Sequence, residues 1–203
     1  MIAPAFRVIF AWPYRMGLAG LYRARFRPWQ LTVLSLVTNA ICGWLIVTGH
    51  YFTPGLLLIV AGLLDIFDGG LARLRGEASR SGAFLDSVLD RASDVILFGC
   101  IFWAESGQDH RAGAAFALAS LGVTLLVSYV RAEAEARGLS LTEGLVQRLE
   151  RYVALMVGLT APGALLPVLV ILTVLGGATA AQRMWSAMTQ LGASAPRVRE
   201  KVK

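Results

Sequence analysis

The sequence predicts an all-α, polytopic membrane protein, and its composition is the first observation behind this fold class. Hydrophobic residues make up 56% of the 203 residues and charged residues only 16%, whereas about 25% of the residues in a soluble domain are charged. Several apolar stretches also approach the roughly 20 residues that a helix needs to cross a bilayer. A backbone in lipid must satisfy its own hydrogen bonds, and the alternating strands of a barrel are not found, so these stretches are expected to be helices.

The first element is residues 1–30, which we expect to form an amphipathic juxtamembrane helix. Basic residues alternate there with apolar and aromatic residues, a pattern typical of a helix that lies among lipid headgroups. A flexible arm is the alternative. The basic residues are Arg7, Arg15, Arg23, Arg25 and Arg27.

Six transmembrane helices are expected to follow and to form one domain, residues 31–191. Pro54, Gly107 and Pro162 lie at or near breaks between apolar stretches, where residues that interrupt helices belong. A basic C-terminal tail, residues 192–203, is the third segment. The expected spans are 31–49, 54–74, 82–104, 112–136, 145–161 and 164–188.

The distribution of Lys and Arg predicts the orientation of these spans. All of them lie on or near one side, which includes the loops 75–81 and 137–144, except Arg111. Because cytoplasmic loops carry the excess of positive charge, we expect both termini to be cytoplasmic in a multi-pass protein of the cell membrane. We expect no cleavable signal peptide and no nucleic-acid partner, and we interpret Cys42 and Cys100 as small buried residues rather than a disulfide.

Residues 65–90 place four carboxylates in otherwise apolar helices. A charged Asp near the centre of a transmembrane helix costs about 3 kcal/mol, and neighbouring carboxylates also repel one another. Carboxylates without His or Cys nearby select hard cations such as Mg²⁺, Mn²⁺ or Ca²⁺. We therefore expect a divalent-cation site, and four acids suit two ions that clamp a phosphoryl group. The acids are Asp65, Asp68, Asp86 and Asp90.

These acids form one stripe on each of two consecutive helices, because residues three or four apart share a helix face. The loop between the helices is short, so we expect the helices to be antiparallel neighbours whose polar faces meet near the cytoplasmic surface. The first stripe contains Asp65, Asp68 and Ala72, and the second contains Gly82, Asp86, Asp90 and Asp94.

The residues beside the acids also favour a ligand. Gly69 and Gly82 would let a bulky ligand approach the backbone, and Arg73 adds a positive charge suited to phosphate. Two other interpretations remain: salt bridges with Arg73, Arg75 or Arg91 that tie the helices together, or a cation or proton pathway in a transporter. Neither explains the glycines and the Ala-Arg pair at fixed offsets.

The same run resembles, at every defined position, the motif of the CDP-alcohol phosphatidyltransferases: D-x-x-D-G-x-x-A-R, eight residues, then G-x-x-x-D-x-x-x-D. The expected layout of six spans after a surface helix is similar to that family too. The resemblance implies transfer of a phosphatidyl group from a CDP-linked lipid to an alcohol, with release of CMP. It also implies dependence on Mg²⁺ or Mn²⁺ and a homodimer.

The resemblance also implies roles for individual residues. Asp65, Asp68 and Asp86 are expected to bind metal, which would stabilise the CMP leaving group. Asp90 is expected to contact metal and to act as the base, because a carboxylate within hydrogen-bond reach can take the proton of the acceptor hydroxyl. The residues implied for the CDP-lipid pocket are Gly69, Ala72, Arg73 and Gly82.

A second set of cations indicates the acceptor. Four arginines are expected at the cytoplasmic end of the bundle, at the depth of the acids, and several Arg side chains that converge on a cleft favour a phosphate. Ordinary snorkelling or the positive-inside bias is the alternative. The four are Arg131, Arg148, Arg151 and Arg183.

The segments that contain these arginines resemble the branch of the family that makes phosphatidylinositol phosphate from inositol phosphate. This resemblance implies that Arg131, Arg151 and Arg183 bind the acceptor, whereas Arg148 is our own addition from its helical spacing to Arg151. We expect CDP-diacylglycerol as donor and inositol 1-phosphate as acceptor. The alternatives are glycerol 3-phosphate, which would make the protein a phosphatidylglycerophosphate synthase, and, from another class, an ion or metal transporter.

Overall fold

The computed structural model describes the backbone of residues 3–140 and 148–194 and the side chains of residues 12–140 and 148–192. Within these ranges the fold is all-helical, as expected, with seven helices. Their bounds are α1 Ala3–Arg23, α2 Pro28–Val47, α3 Phe52–Arg75, α4 Arg80–Gly107, α5 Arg111–Ala136, α6 Arg148–Thr160 and α7 Leu165–Ser194.

Each expected span corresponds to one helix from α2 to α7, with shifted ends. The helix α2 begins earlier than expected, at Pro28, because a proline at the first position loses no helical hydrogen bond. The helix α7 continues to Ser194, so the first residues assigned to the C-terminal tail are helical. The expected start of the fifth span, 145–147, and the tail beyond residue 194 lie outside the described residues.

Four of the described helices are long and apolar enough to cross a membrane, namely α2, α3, α5 and residues Leu165–Gly192 of α7. The helix α4 has 28 residues, but its first fifteen include Asp86, Asp90, Arg91 and Asp94, which lower its mean hydropathy. The described part of α6 has only 13 residues. Length and composition alone therefore identify four spans where six were expected.

The prediction that α3 and α4 are direct neighbours is wrong. No Cα atom of one lies within 8 Å of a Cα atom of the other in the described chain, and both helices pack instead against α2. The helix α5 packs on α4 and α7, and α6 packs on α3 and α7. Side chains from both helices reach into the gap between α3 and α4, and among them are the acids.

An apolar core occupies the middle of the bundle between its two ends. It includes Ile46, Leu58, Leu97, Ile101 and Leu155, each at most 1% exposed. The connections 48–51, 108–110 and 161–164 lie at one end, and the connection 76–79 lies at the other, together with the acids. Cys42 and Cys100 are both free thiols.

The turn between α3 and α4 fixes where the two acidic helices end and begin. Gly76 caps α3 in a left-handed conformation with φ 67°, which glycine adopts without a steric cost. Ser79 then caps α4, because its Oγ accepts a hydrogen bond from the Gly82 backbone N–H at 3.1 Å. The helix α1 packs beside this turn on α3, where the ring of Tyr14 stacks on that of Phe67 with centroids 5.5 Å apart.

Candidate active site

The acidic cluster forms where α3 and α4 face each other across their gap. Asp65, Asp68 and Asp86 each offer a carboxylate oxygen, and these oxygens lie within 4.8 Å of one another. Asp68 is only 6% exposed. Its Oδ2 and the Oδ1 of Asp86 are buried without a hydrogen-bond partner among the described residues. Buried acceptors are rarely left in this state, and an oxygen-ligated divalent cation would satisfy both.

Asp90 lies outside this group of three, and an arginine separates it from Asp65. Nη1 of Arg148, at the start of α6, donates to Oδ1 of Asp65 and to Oδ1 of Asp90. The structure therefore brings all four predicted acids to one place, but it joins the fourth through a guanidinium that the sequence assigned to the acceptor.

A chain of buried hydrogen bonds holds Arg148 in this position. Its Nη2 donates to the hydroxyl of Tyr152 at 3.2 Å, and its guanidinium carbon lies 5.3 Å from the centroid of that ring. The Tyr152 hydroxyl donates in turn to Oδ1 of Asn39 at 3.1 Å, and Nδ2 of Asn39 donates to the Ser35 carbonyl at 2.8 Å. The helices α2 and α6 thus fix the arginine from behind the acids.

A cavity of about 270 Å³ lies on one side of the acids, between α2, α3 and the start of α4. Asp68 and Asp86 form part of its wall, and so do all four residues predicted for the CDP-lipid. Among the described residues, a Cβ added to Gly69 would meet only the guanidinium of Arg73, at 3.6 Å. Packing within the chain therefore does not require this glycine, whereas a ligand against the helix would. The predicted residues that line the cavity are Gly69, Ala72, Arg73 and Gly82.

A second cavity of about 640 Å³ lies on the other side of the acids, between α4, α5, α6 and α7. All four predicted arginines line it, together with Asp86, Asp90 and Asp94. Asp86 belongs to the walls of both cavities, so the two spaces meet at the acidic cluster. The arginines are Arg131, Arg148, Arg151 and Arg183.

The arginines of this second cavity differ in how they are held. Arg151 donates from Nη2 to both carboxylate oxygens of Asp94, at 3.2 and 2.9 Å, and Asp94 is 3% exposed. Arg183 donates from Nη1 to the Val127 carbonyl at 3.3 Å. Arg131 is half exposed and pairs with Glu135 on its own helix at 2.8 Å.

Within the described chain, two arginines of this wall each have one unsatisfied donor. Nε of Arg148 and Nε of Arg151 are buried and have no hydrogen-bond partner among the described residues. A phosphate presents several strong acceptor oxygens, so it could satisfy both. The wall of the second cavity is therefore suited to bind an anionic group next to the acids.

The salt bridges of the described residues are not the ones that the sequence suggested. The acids pair with arginines of α6, whereas Arg75 donates to the Tyr22 carbonyl at 3.2 Å and Arg91 donates to Ser87 at 2.6 Å. Sequence reasoning gave no role to Asp94 or Tyr152. The spacing of four residues after Asp90 was a signal for Asp94, but no local pattern marks Tyr152.

A larger cavity, of about 810 Å³, lies at the opposite end of the bundle. It contains Glu105, which is 8% exposed and lies 3.4 Å from His110. None of the acids of the cluster and none of the four arginines line it. Size alone would select this cavity, but the chemistry of the side chains selects the other end.

Comparison with known proteins agrees with this choice of site. Residues 25–190 match the family model of the CDP-alcohol phosphatidyltransferases. The chain is 33% identical over 183 residues to the phosphatidylinositol phosphate synthase of Mycobacteroides abscessus, an alignment that covers 86% of this chain and 83% of that protein.

Two solved structures of the phosphatidylinositol phosphate synthase of Mycobacterium tuberculosis have the same fold at 29% identity. The structure with CDP-DAG bound has a TM-score of 0.76 and covers 87% of this chain and 94% of its own. The structure in complex with manganese and citrate also has a TM-score of 0.76 and covers 85% and 87%. The family match spans both acidic stripes, both cavities and the apolar helices, and the chain therefore belongs to the CDP-alcohol phosphatidyltransferase family.

Proposed function

We propose that the protein transfers the phosphatidyl group of CDP-diacylglycerol to inositol 1-phosphate, forming phosphatidylinositol phosphate and CMP. The observation that carries this proposal is the pair of cavities that meet at the acidic cluster. One cavity presents open helix backbone and Arg73, and the other presents four arginines. The relative of M. abscessus is named for the same product, and a solved relative holds CDP-DAG, the proposed donor.

The acids fit a divalent cation, and Mg²⁺ or Mn²⁺, as two ions, is the cofactor that we propose. Asp65, Asp68 and Asp86 would hold it, and Asp90 would contact it from the side of the second cavity. When bound, the cations supply positive charge that neutralises the diphosphate and stabilises the CMP leaving group. The manganese complex of the solved relative supports this assignment.

The first cavity is the proposed site for the CDP-lipid. Gly69 and Gly82 leave the helix backbones of α3 and α4 open to the nucleotide, and Ala72 keeps the next turn of α3 small. Arg73 supplies a fixed charge for a phosphate. These four residues orient the diphosphate so that the phosphorus to be attacked lies at the acids.

The second cavity is the proposed site for the acceptor. Arg131, Arg148, Arg151 and Arg183 would bind its phosphate, and Asp90 would take the proton of its attacking hydroxyl. The new P–O bond then forms to the acceptor oxygen while the P–O bond to CMP breaks. A choline or ethanolamine headgroup is cationic and would be repelled by this wall.

Two alternatives are less well supported. Glycerol 3-phosphate is also anionic and would meet the same arginines, so the wall alone does not separate it from inositol 1-phosphate. An ion or metal transporter needs polar groups through the depth of the bundle, whereas the described middle is the apolar core of Ile46, Leu58, Leu97 and Leu155.

The membrane arrangement that we propose follows from the same geometry. The helices α2 to α7 would form a six-span domain, residues 31–191, between an amphipathic juxtamembrane segment, 1–30, and a basic tail, 192–203. In α4 the acids face the site, so its charged half need not contact lipid. Both termini and the site would face the cytoplasm of the cell membrane, and two copies would form a homodimer.

Release of CMP tests the proposed function. Purified protein would be given CDP-diacylglycerol and Mg²⁺ with either inositol 1-phosphate or glycerol 3-phosphate. We expect release with the inositol phosphate and none with Asp90→Asn, which should still bind the CDP-lipid. Release of CMP with glycerol 3-phosphate alone would refute inositol 1-phosphate as the acceptor. Release with neither compound would refute the proposed phosphatidyl transfer.

A further inference from the structure

The contacts of Arg148 suggest a role beyond binding an acceptor. Its Nη1 touches carboxylate oxygens of both acidic helices, Asp65 on α3 and Asp90 on α4. Those helices do not pack on each other, so this guanidinium is a direct link across their gap. It also belongs to the wall of the arginine-lined cavity, and it therefore lies between the acidic cluster and the proposed acceptor site.

A guanidinium and a divalent cation that share the same carboxylates lie close together, and their positive charges repel each other. Oδ1 of Asp65 is engaged by Arg148, and Asp65 is also one of the three acids whose oxygens converge within 4.8 Å. Asp90 is engaged in the same way, although the proposed base must be free to accept a proton. A cation bound to Asp65 would therefore repel Arg148, and Asp90 would be a better base once the guanidinium has moved away.

The cavity wall around Arg148 offers the guanidinium an alternative interaction, with an anion. Its Nε is buried without a hydrogen-bond partner among the described residues, as is Nε of Arg151 one turn away on the same cavity wall. An anion in the cavity would attract both guanidinium groups, and Nε of Arg148 is a donor that the acids, which use Nη1, leave unsatisfied. Tyr152 contacts the guanidinium through a hydrogen bond of 3.2 Å and through its ring, and this contact helps to keep it on the acids.

We propose that Arg148 is an exchangeable counter-ion for the acidic cluster, and that its release by a divalent cation completes the acceptor phosphate site. This inference rests on the proposed function. It makes cation binding and acceptor binding mutually favourable, because each draws the guanidinium away from Asp65 and Asp90. Such coupling is reciprocal, so each ligand must strengthen the other by the same factor.

Mn²⁺ affinity, measured by electron paramagnetic resonance without any substrate, tests the exchange. Arg148→Gln should bind Mn²⁺ more tightly than the wild type, by roughly 5- to 150-fold, the usual range for coupled sites. Damage to the fold would weaken binding, so a tighter site is a result that a merely structural role does not produce. Arg91→Gln is the matched control, because it removes a charge from the same cavity without contacting Asp65 or Asp90, and its effect should be much smaller.

Tyr152→Phe provides a second variant that keeps the ring and the charge. Loss of the hydroxyl should loosen Arg148 and raise Mn²⁺ affinity, by less than Arg148→Gln does. In the wild type, Mn²⁺ should also tighten binding of inositol 1-phosphate, and Arg148→Gln should lose this gain. Unchanged or weaker Mn²⁺ binding in both variants would refute the exchange by Arg148 but not the proposed function. A wild type that binds no Mn²⁺ would refute both.

Discussion

We expect Gly69→Ala to raise the stability of the protein and to lower its affinity for the CDP-lipid. Residue 69 lies inside α3, and in the described part of the chain an added Cβ would meet only the guanidinium of Arg73, at a van der Waals distance of 3.6 Å. Replacing a glycine in a helix by alanine should then stabilise the fold by about 0.5–1 kcal/mol. The same methyl would project into the cavity of about 270 Å³, where overfilling a fitted site costs roughly 1–3 kcal/mol.

Converted at about 1.4 kcal/mol per tenfold, this cost raises the dissociation constant for the CDP-lipid roughly 5- to 150-fold. The assay is equilibrium binding of CDP-diacylglycerol in detergent, with thermal unfolding of the same samples. Gly99→Ala in α4 is the matched control, since its Cβ would meet nothing within 4 Å and Gly99 lines neither cavity. It should gain stability without losing affinity. Unchanged affinity in Gly69→Ala would refute the placement of the nucleotide against α3.

Three further substitutions test individual contacts in and beside the site. Arg151→Ala leaves the carboxylate of Asp94 buried and unpaired, so it should lower the free energy of unfolding by about 3–5 kcal/mol. Adding Asp94→Asn should restore most of that stability but should not restore the KM for the acceptor. Full recovery of both stability and KM would show that Arg151 does not bind the acceptor. Asp68→Asn should weaken the thermal stabilisation that Mn²⁺ confers, whereas an equal response to Mn²⁺ in both proteins would exclude Asp68 as a ligand. Gly70→Ala places a Cβ against the hydroxyl of Tyr14 on α1, so the thermal midpoint should fall and Tyr14→Phe should partly recover it; no fall would mean that α1 does not pack there.

The sequence predicted the helices and the acids well because both depend on local patterns. Apolar runs of about 20 residues and a spacing of three or four residues within a helix need no knowledge of the partner helix. The four arginines were also predicted to converge, although they come from three helices. They could be found because all occur near the same expected end of the bundle.

The contacts across the site could not be predicted in this way. Arg148 reaches Asp65 from 83 residues away in the sequence, and the hydrogen bond from Tyr152 to Asn39 joins residues 113 apart. Such pairs depend on how α6 lies against α3 and α2, which no periodicity records. The gap between α3 and α4 was missed for a related reason, because a short loop predicts neighbours but does not show that α2 contacts both.

The two KM values of Arg131→Gln test the central claim most directly, namely that the two cavities bind different substrates. Arg131 is half exposed and pairs with the exposed Glu135, its one ion pair among the described residues. Such a pair contributes about 0–1 kcal/mol to stability, so folding should be unaffected. Arg137→Gln removes a similar pair with Glu133 outside both cavities and is the matched control. The account predicts a higher KM for inositol 1-phosphate, an unchanged KM for CDP-diacylglycerol and no change in the control. An equal rise in both KM values, or a rise for the CDP-lipid alone, would contradict it.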